Sequence, residues 1–130
     1  MYQNTTHDIR ITVRPNFLEE QSRPDRNYFV WAYSITIENL SDDTVTLKAR
    51  HWKITNSLGQ VQEVHGSGVV GEQPTLKPGE AFEYTSGAPL TTPSGFMVGT
   101  YDMETTNGQA FNVSIPLFSL DSPYAARQVH

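Results

Sequence analysis

The residues most suggestive of chemistry form a glycine-rich motif, G-x-G-x-x-G, at positions 66–71. In dinucleotide-binding folds such glycines follow a strand and open a helix, whose N-terminus holds a pyrophosphate. Here Pro74 and Pro78 follow so closely that no helix of useful length can start. The motif therefore predicts a loop that needs positive φ angles. The alternative is an anion-binding nest of backbone amides, formed by Gly66, Ser67, Gly68 and Gly71.

The charge distribution favours that alternative. Residues 48–77 carry four cations against two carboxylates, a formal +2, although the whole chain has a net charge of −5. Every lysine lies in this segment, and the candidate cations beside the loop are Arg50, Lys53 and Lys77. A weakly bound phosphate-containing ligand, such as a nucleotide or pyrophosphate, would fit them. The acidic balance of the chain argues against nucleic acid or an anionic membrane as a partner.

Metal chemistry receives little support from the four histidines, none of which has H-x-x-H or H-x-x-x-H spacing. His51 and His65 would meet if their strands paired, with Asp102 or Glu104 as a third ligand. Ordinary surface or half-buried histidines are the simpler interpretation. The sequence therefore predicts no metal site and no cofactor.

An enzyme active site is not visible either. The chain has no cysteine, which excludes thiol nucleophiles and Cys-type zinc sites. Ser67 lies between two glycines but lacks the strand–elbow–helix context that a nucleophilic serine needs. We therefore expect no catalytic residues and a protein that is not an enzyme.

The elements that would position these residues are strands. Val, Ile, Thr and the aromatic residues number 44, against 15 Leu and Ala, which favours sheet over helix. Alternation of apolar and polar residues with period two, broken by Gly and Pro, predicts about seven strands and no amphipathic helix. This pattern is typical of a β-sandwich of the fibronectin type III or immunoglobulin-like kind. One domain is expected over residues 1–130, with a core at about 7–120 and a C-terminal tail at 121–130.

Three local features refine this prediction. The apolar phase changes between Ala49 and Trp52, which predicts a β-bulge or a change of sheet near Arg50 and His51. If it is a bulge, Leu47 and Trp52 should both be buried. The sequence Lys77-Pro78-Gly79-Glu80 predicts a type II turn, and Asn107-Gly108 predicts a type I′ hairpin. The expected sheet edges are the Ile9–Val13 strand and the segment around Val61 and Val64, while residues 88–95 are expected to form a loop.

Spaced glycine, proline and aromatic residues make the sequence resemble the ApaG family, also called CorD, over nearly its whole length. The resemblance is carried by the segments RHWKI at 50–54, VHGSGVVGEQP at 64–74, LKPGEAFEYTSG at 76–87, TPSGFMVGTYDM at 92–103 and IPLFSL at 115–120. It implies a fibronectin III-like sandwich in a cytoplasmic bacterial protein, with an association with cobalt resistance and magnesium efflux. Related domains in eukaryotic proteins look like interaction modules.

Fold and resemblance together predict a non-enzymatic protein–protein interaction domain. The predicted interaction edge is centred on Val61 and Val64, where an extended segment of an unidentified partner could add a strand. A homodimer formed through an unprotected edge is also possible on this interpretation. Weak nucleotide or pyrophosphate binding by the loop at 66–71 remains the alternative function.

Overall fold

A computed structural model describes residues 1–125, so residues 126–130 of the expected tail, including His130, lie outside the described part. The strands are β1 (Tyr2–Thr6), β2 (Ile9–Phe17), β3 (Phe29–Asn39), β4 (Val45–Asn56), β5 (Val61–Ser67), β6 (Thr75–Leu76), β7 (Ala81–Leu90), β8 (Ser94–Thr105) and β9 (Ala110–Asp121). Two short 3-10 helices, Glu19–Gln21 and Pro24–Arg26, connect β2 to β3. Over residues 1–125, no helix is long and apolar enough to cross a membrane.

Two antiparallel sheets form the molecule, and they pack face to face. The first has the order β1-β2-β3-β7, and the second has the order β5-β4-β8-β9 with β6 paired to β4. Alternate side chains of both sheets point inward because successive residues of a strand face opposite sides. The largest of these buried side chains include Trp31, Ile35, Tyr101 and Phe118. The prediction of an all-β sandwich is confirmed.

The number of strands differs from the prediction of about seven, since nine are present. The alternation missed β1, whose middle residues are polar and exposed, and the two-residue β6. Residues 88–95 were predicted to form a loop, but 88–90 belong to β7 and 94–95 begin β8. Ala88 pairs with Trp31, and Leu90 pairs with Phe29. The strand continues here because Ala88 and Leu90 are buried in the core. Pro89 between them is tolerated because β7 is an edge strand.

The bulge in β4 is present, two residues before the predicted position. Pairing between β4 and β8 shifts between Leu47 and Ala49, so Lys48 is the extra residue. Leu47 and Trp52 are both buried, at 0% and 3% exposure, as the phase change predicted. Leu47 and Trp52 are an odd number of residues apart, so a regular strand would place them on opposite faces. The extra residue of a bulge places both on the buried face.

The two predicted turns have different outcomes. Gly79 has a φ of 85°, and the Glu80 amide donates to the Lys77 carbonyl at 2.9 Å, which confirms the type II turn. A hairpin does form at Asn107-Gly108, but only Gly108 has a positive φ and Thr105 pairs with Gln109 across three residues. A three-residue loop ending in a left-handed glycine therefore replaces the predicted type I′ turn.

The lateral sides of the sandwich are unlike each other, and we call them the closed side and the open side. On the closed side, β1 and β2 pack against β9. On the open side, β7 ends one sheet and β5 ends the other. The Ile9–Val13 segment, predicted to be an edge, is instead an inner strand, since β2 pairs with both β1 and β3. The Val61–Val64 segment does lie in an edge strand.

Candidate functional site

The concave surface of the open side is a groove between the two edge strands. It has a volume of about 390 Å³, and we call it the β5–β7 groove. No charged residue lines it in the part of the chain that the structure describes. Its walls are Tyr28, Ile54, Asn56, Gln60, Val61, Gln62, Pro89, Leu90 and Thr91.

Val61 and Val64, the two residues of the predicted edge, have different environments. Val61 is 56% exposed and borders the groove. Val64 pairs with the buried Trp52, so it points inward and packs against the core. Only Val61 is therefore free to contact a partner without a change in the core.

Two backbone amides of the glycine loop, those of Gly68 and Val69, donate to backbone carbonyls of the protein itself. The Gly68 amide donates to the Lys48 carbonyl at 2.9 Å, and the Val69 amide donates to the Glu72 carbonyl at 2.8 Å. Val69 is fully buried, which fixes the loop to the core. The Gly68 amide, one of the four that the nest would present, is thus already paired, as is the neighbouring Val69 amide. Anion binding stays a prediction without geometric support.

Steric space explains the glycines of the motif. A Cβ on Gly68 would lie 2.0 Å from the Glu72 carbonyl oxygen, and the φ of Gly68 is 59°. A Cβ on Gly66 would lie 2.7 Å from the Arg50 guanidinium. Val70 and Gly71, with φ of 43° and 82°, form a tight turn closed by Val69 and Glu72. The motif is therefore required for the path of the backbone.

Arg50, the first candidate cation, hydrogen-bonds the glycine loop itself. It lies opposite Gly66 in the β4–β5 ladder, and its Nη1 donates to the carbonyls of Ser67 and Gly68 at 3.1 and 2.9 Å. These carbonyls offer the guanidinium the negative ends of their dipoles. Arg50 thus ties the end of the edge strand β5 to its neighbour.

Lys53 and Lys77 lie apart from that arrangement. Lys53 is exposed on the outer face of the second sheet, opposite Glu63 and Val98. Lys77 is exposed in the turn between β6 and β7. Among the described residues, neither side chain hydrogen-bonds the glycine loop, so the structure does not unite the three predicted cations around one point.

A tyrosine pair fills the interior behind the open side. The hydroxyls of Tyr84 on β7 and Tyr101 on β8 are 2.5 Å apart and join the two sheets. Burial raises the pKa of both phenols well above the usual value, and it also raises the pKa of Tyr33. These phenols are structural groups that resist deprotonation even at alkaline pH, because ionisation would place a charge in the core.

Histidines meet on the outer face of the second sheet. His51 and His65 are opposite each other in the ladder, as the sequence analysis considered. The third group is Glu63, at 3.2 Å from His51, rather than Asp102 or Glu104. Sequence reasoning missed Glu63, although a carboxylate two residues before His65 faces the same side of a strand.

These features define an all-β sandwich domain with a groove at an open sheet edge. The ApaG domain family matches residues 19–105. Curated proteins named Protein ApaG are similar over almost the entire chain. That of Parvibaculum lavamentivorans is 60% identical over 100% of both chains, and that of Rhodospirillum centenum is 62% identical over 95% of each.

A solved crystal structure of similar sequence also has the same fold. The crystal structure of an ApaA protein from Bordetella pertussis superposes with a TM-score of 0.87 at 46% identity, covering 92% of this chain and 97% of the other. The chain belongs to the ApaG family, as the resemblance indicated.

Proposed function

We propose that this ApaG-family chain is a non-enzymatic interaction domain, and that it binds an extended segment of a partner protein along β5. The observation that carries this proposal is the β5–β7 groove beside an unpaired strand edge. A strand that ends a sheet offers its outward backbone groups to another chain. The partner strand would pair with β5, and its alternate side chains would enter the groove.

The lining of the groove supports a partner segment with apolar, uncharged side chains. Ile54, Pro89 and Leu90 provide apolar walls, and Asn56, Gln60 and Gln62 provide neutral polar groups. Tyr28, 45% exposed at the rim, is of the residue type that contributes most to binding energy at interfaces. A charged side chain would lose hydration there without a counter-ion.

A cytoplasmic location is part of the same proposal, and it rests on the family resemblance. The association with cobalt resistance and magnesium efflux is likewise an expectation from the family resemblance. Two copies pairing through β5 would be a special case of strand addition, in which the partner segment is a second β5. Light scattering separates that case from a different partner.

Site-specific photo-crosslinking tests the proposal. A photoreactive residue at position 61 should capture a partner from the native cytoplasm, whereas the same residue at position 117 should not. Leu117 is the matched control because it is 52% exposed on β9, which borders the closed side. A peptide from the captured protein should then perturb the NMR amide signals of β5.

Substitution of Val61 by Lys should weaken binding of that peptide about tenfold, roughly 1.4 kcal/mol, because a charge would meet an apolar segment. The change Leu117→Lys should leave binding unchanged. Equal crosslinking from positions 61 and 117, or full binding by the Val61→Lys protein, would contradict the proposal.

A further inference from the structure

The outer face of the β4–β5 ladder brings three possible metal ligands together. His51 pairs with His65, and the next pair on the same face contains Glu63. Trp52 and Val64 lie between these pairs and point inward, so the three polar side chains all point to solvent. The ladder thus fixes two imidazoles and a carboxylate on one surface before any ion binds.

The distances among these groups match a single ion. The imidazole rings are stacked, with centroids 3.9 Å apart and planes 15° apart. His51 Nε2 and Glu63 Oε1 are 3.2 Å apart, and one ligand atom of each residue lies within 4.8 Å of the other two. Two ligands of a tetrahedral zinc ion are separated by about 3.3 Å, which follows from bonds of about 2.0–2.1 Å. Stacked rings direct their nitrogen lone pairs in parallel, so ion binding requires the imidazoles to turn out of the stack toward a common point. The three ligand atoms are close enough to meet there.

We propose that His51, Glu63 and His65 bind a divalent transition-metal ion, Zn²⁺ being the ion that best fits this ligand set. Two imidazoles and one carboxylate are a ligand set that Zn²⁺ accepts, with water in the fourth position. The side chains of His51 and Glu63 are 39% and 51% exposed, so water can reach the ion. Mg²⁺ prefers oxygen ligands and should not bind.

Neighbouring charges affect how much each of the three ligands contributes to metal affinity. Lys53 lies directly across from Glu63 in the ladder, so the site includes a positive charge near the carboxylate. The two imidazoles therefore provide most of the affinity, and Glu63 adds charge neutralisation. A bound ion would tie the edge strand β5 to β4 and stabilise the folded chain. Glu63 and His65 share the outer face of β5 with Val61, so zinc binding is tested on the chain alone, with no partner at the groove.

Zinc titration of the untagged full-length protein, followed by calorimetry and by NMR of the imidazole nitrogens, tests the proposal. One ion should bind per chain, shifting the signals of His51 and His65 but not those of His7. The changes His51→Gln and His65→Gln should each weaken binding by about tenfold or more, as loss of a ligand exceeds loss of an outer-shell partner. Zn²⁺ should also raise the melting temperature.

Matched controls separate a built site from adventitious binding. The change His7→Asn removes a histidine from the β1–β2 turn, where Asn tolerates the φ of 50°, and it should leave affinity unchanged. The wild-type NMR titration needs no variant, so a folding defect cannot obscure the answer. No saturable binding, one ion per two chains, equal shifts at His7, or unchanged affinity in both glutamine variants would each overturn the proposal.

Discussion

The closed side and the open side of the sandwich differ in how far their edge strands are covered. A strand that ends a sheet carries unpaired backbone groups, which favour pairing with another chain. On the closed side, side chains of β1 cover β9: the Ser114 amide donates to Thr6 Oγ1 at 3.4 Å and the Ser119 amide donates to the Tyr2 hydroxyl at 3.2 Å. The ring of Tyr2 also packs on Phe118, with centroids 6.1 Å apart.

On the open side no comparable cover lies over residues 61–64 in the described part of the chain. Protection is confined to the end of β5, where Arg50 and the Gly68 amide hold the glycine loop. The groove and the exposed Val61 lie next to the part that is left accessible. The contrast indicates that the fold can cover an edge, and that only one half of β5 is left available for a partner.

The largest expected effect concerns the fixed end of the open side. The change Gly68→Val should reduce the free energy of unfolding by about 3 kcal/mol or more, because the Cβ would collide with the Glu72 carbonyl and φ is 59°. Denaturant unfolding measures this loss.

Gly59 provides the matched comparison for Gly68. Its φ is 81°, but no atom lies within 4 Å of an added Cβ. Gly59→Ala should cost only about 1 kcal/mol of backbone strain. Equal losses at Gly59 and Gly68 would show that the loop is not packed as described.

Alkaline pH should reveal whether the interior behind the open side is sealed. Tyr33, Tyr84 and Tyr101 have raised pKa values in the folded protein, mainly through burial. Their contribution to stability is complete below pH about 10, the value for an unfolded chain. It is lost as pH rises above that value, because the unfolded chain then releases protons that the folded protein retains.

Tyrosinate absorbance, followed beside circular dichroism, measures this. Absorbance should reach its full amplitude only when the strands unfold. Complete ionisation of all tyrosines in a still-folded protein would show that solvent enters the core from the open side.

Two tyrosines compare the sides directly. Tyr2→Ala should cost about 1–2 kcal/mol of unfolding free energy, since it removes the contact with Phe118 and the acceptor for the Ser119 amide. Tyr28→Ala should cost less than about 0.5 kcal/mol, because Tyr28 is at the exposed rim of the groove. Thermal unfolding of both proteins provides the measurement. A larger loss of stability in Tyr28→Ala than in Tyr2→Ala would contradict the distinction between closed and open sides.

A gain in stability is expected at the tip of the glycine loop. Val70 is exposed with a φ of 43°, a conformation that branched side chains rarely adopt. Val70→Asn should therefore raise the free energy of unfolding by about 1 kcal/mol. At Val61, equally exposed but in an extended strand, Asn should instead lower it slightly through weaker β-propensity. Chemical denaturation of both variants should give opposite signs, and the same sign in both would argue against strain at Val70.

The local pattern of the sequence was sufficient to predict most strands, the type II turn at Pro78-Gly79, and joint burial of Leu47 and Trp52. Each of these depends on residues that are neighbours along the chain, where alternation and turn chemistry act directly. The family was also recognisable from the spacing of glycine, proline and aromatic residues.

Which strands end the sheets was decided only by the tertiary structure. The Ile9–Val13 segment was predicted to be an edge because the sequence does not reveal β1, which pairs with it. The middle of β1 is polar, at Gln3, Asn4 and Thr5, and the turn after it is His7-Asp8 rather than Asn-Gly. The contacts of Arg50 with the carbonyls of Ser67 and Gly68 likewise follow only from the pairing of β4 with β5. Glu63 joins the two histidines only through the pairing of β4 with β5. Strand order is set by contacts between residues far apart in sequence, and period-two alternation contains no information about them.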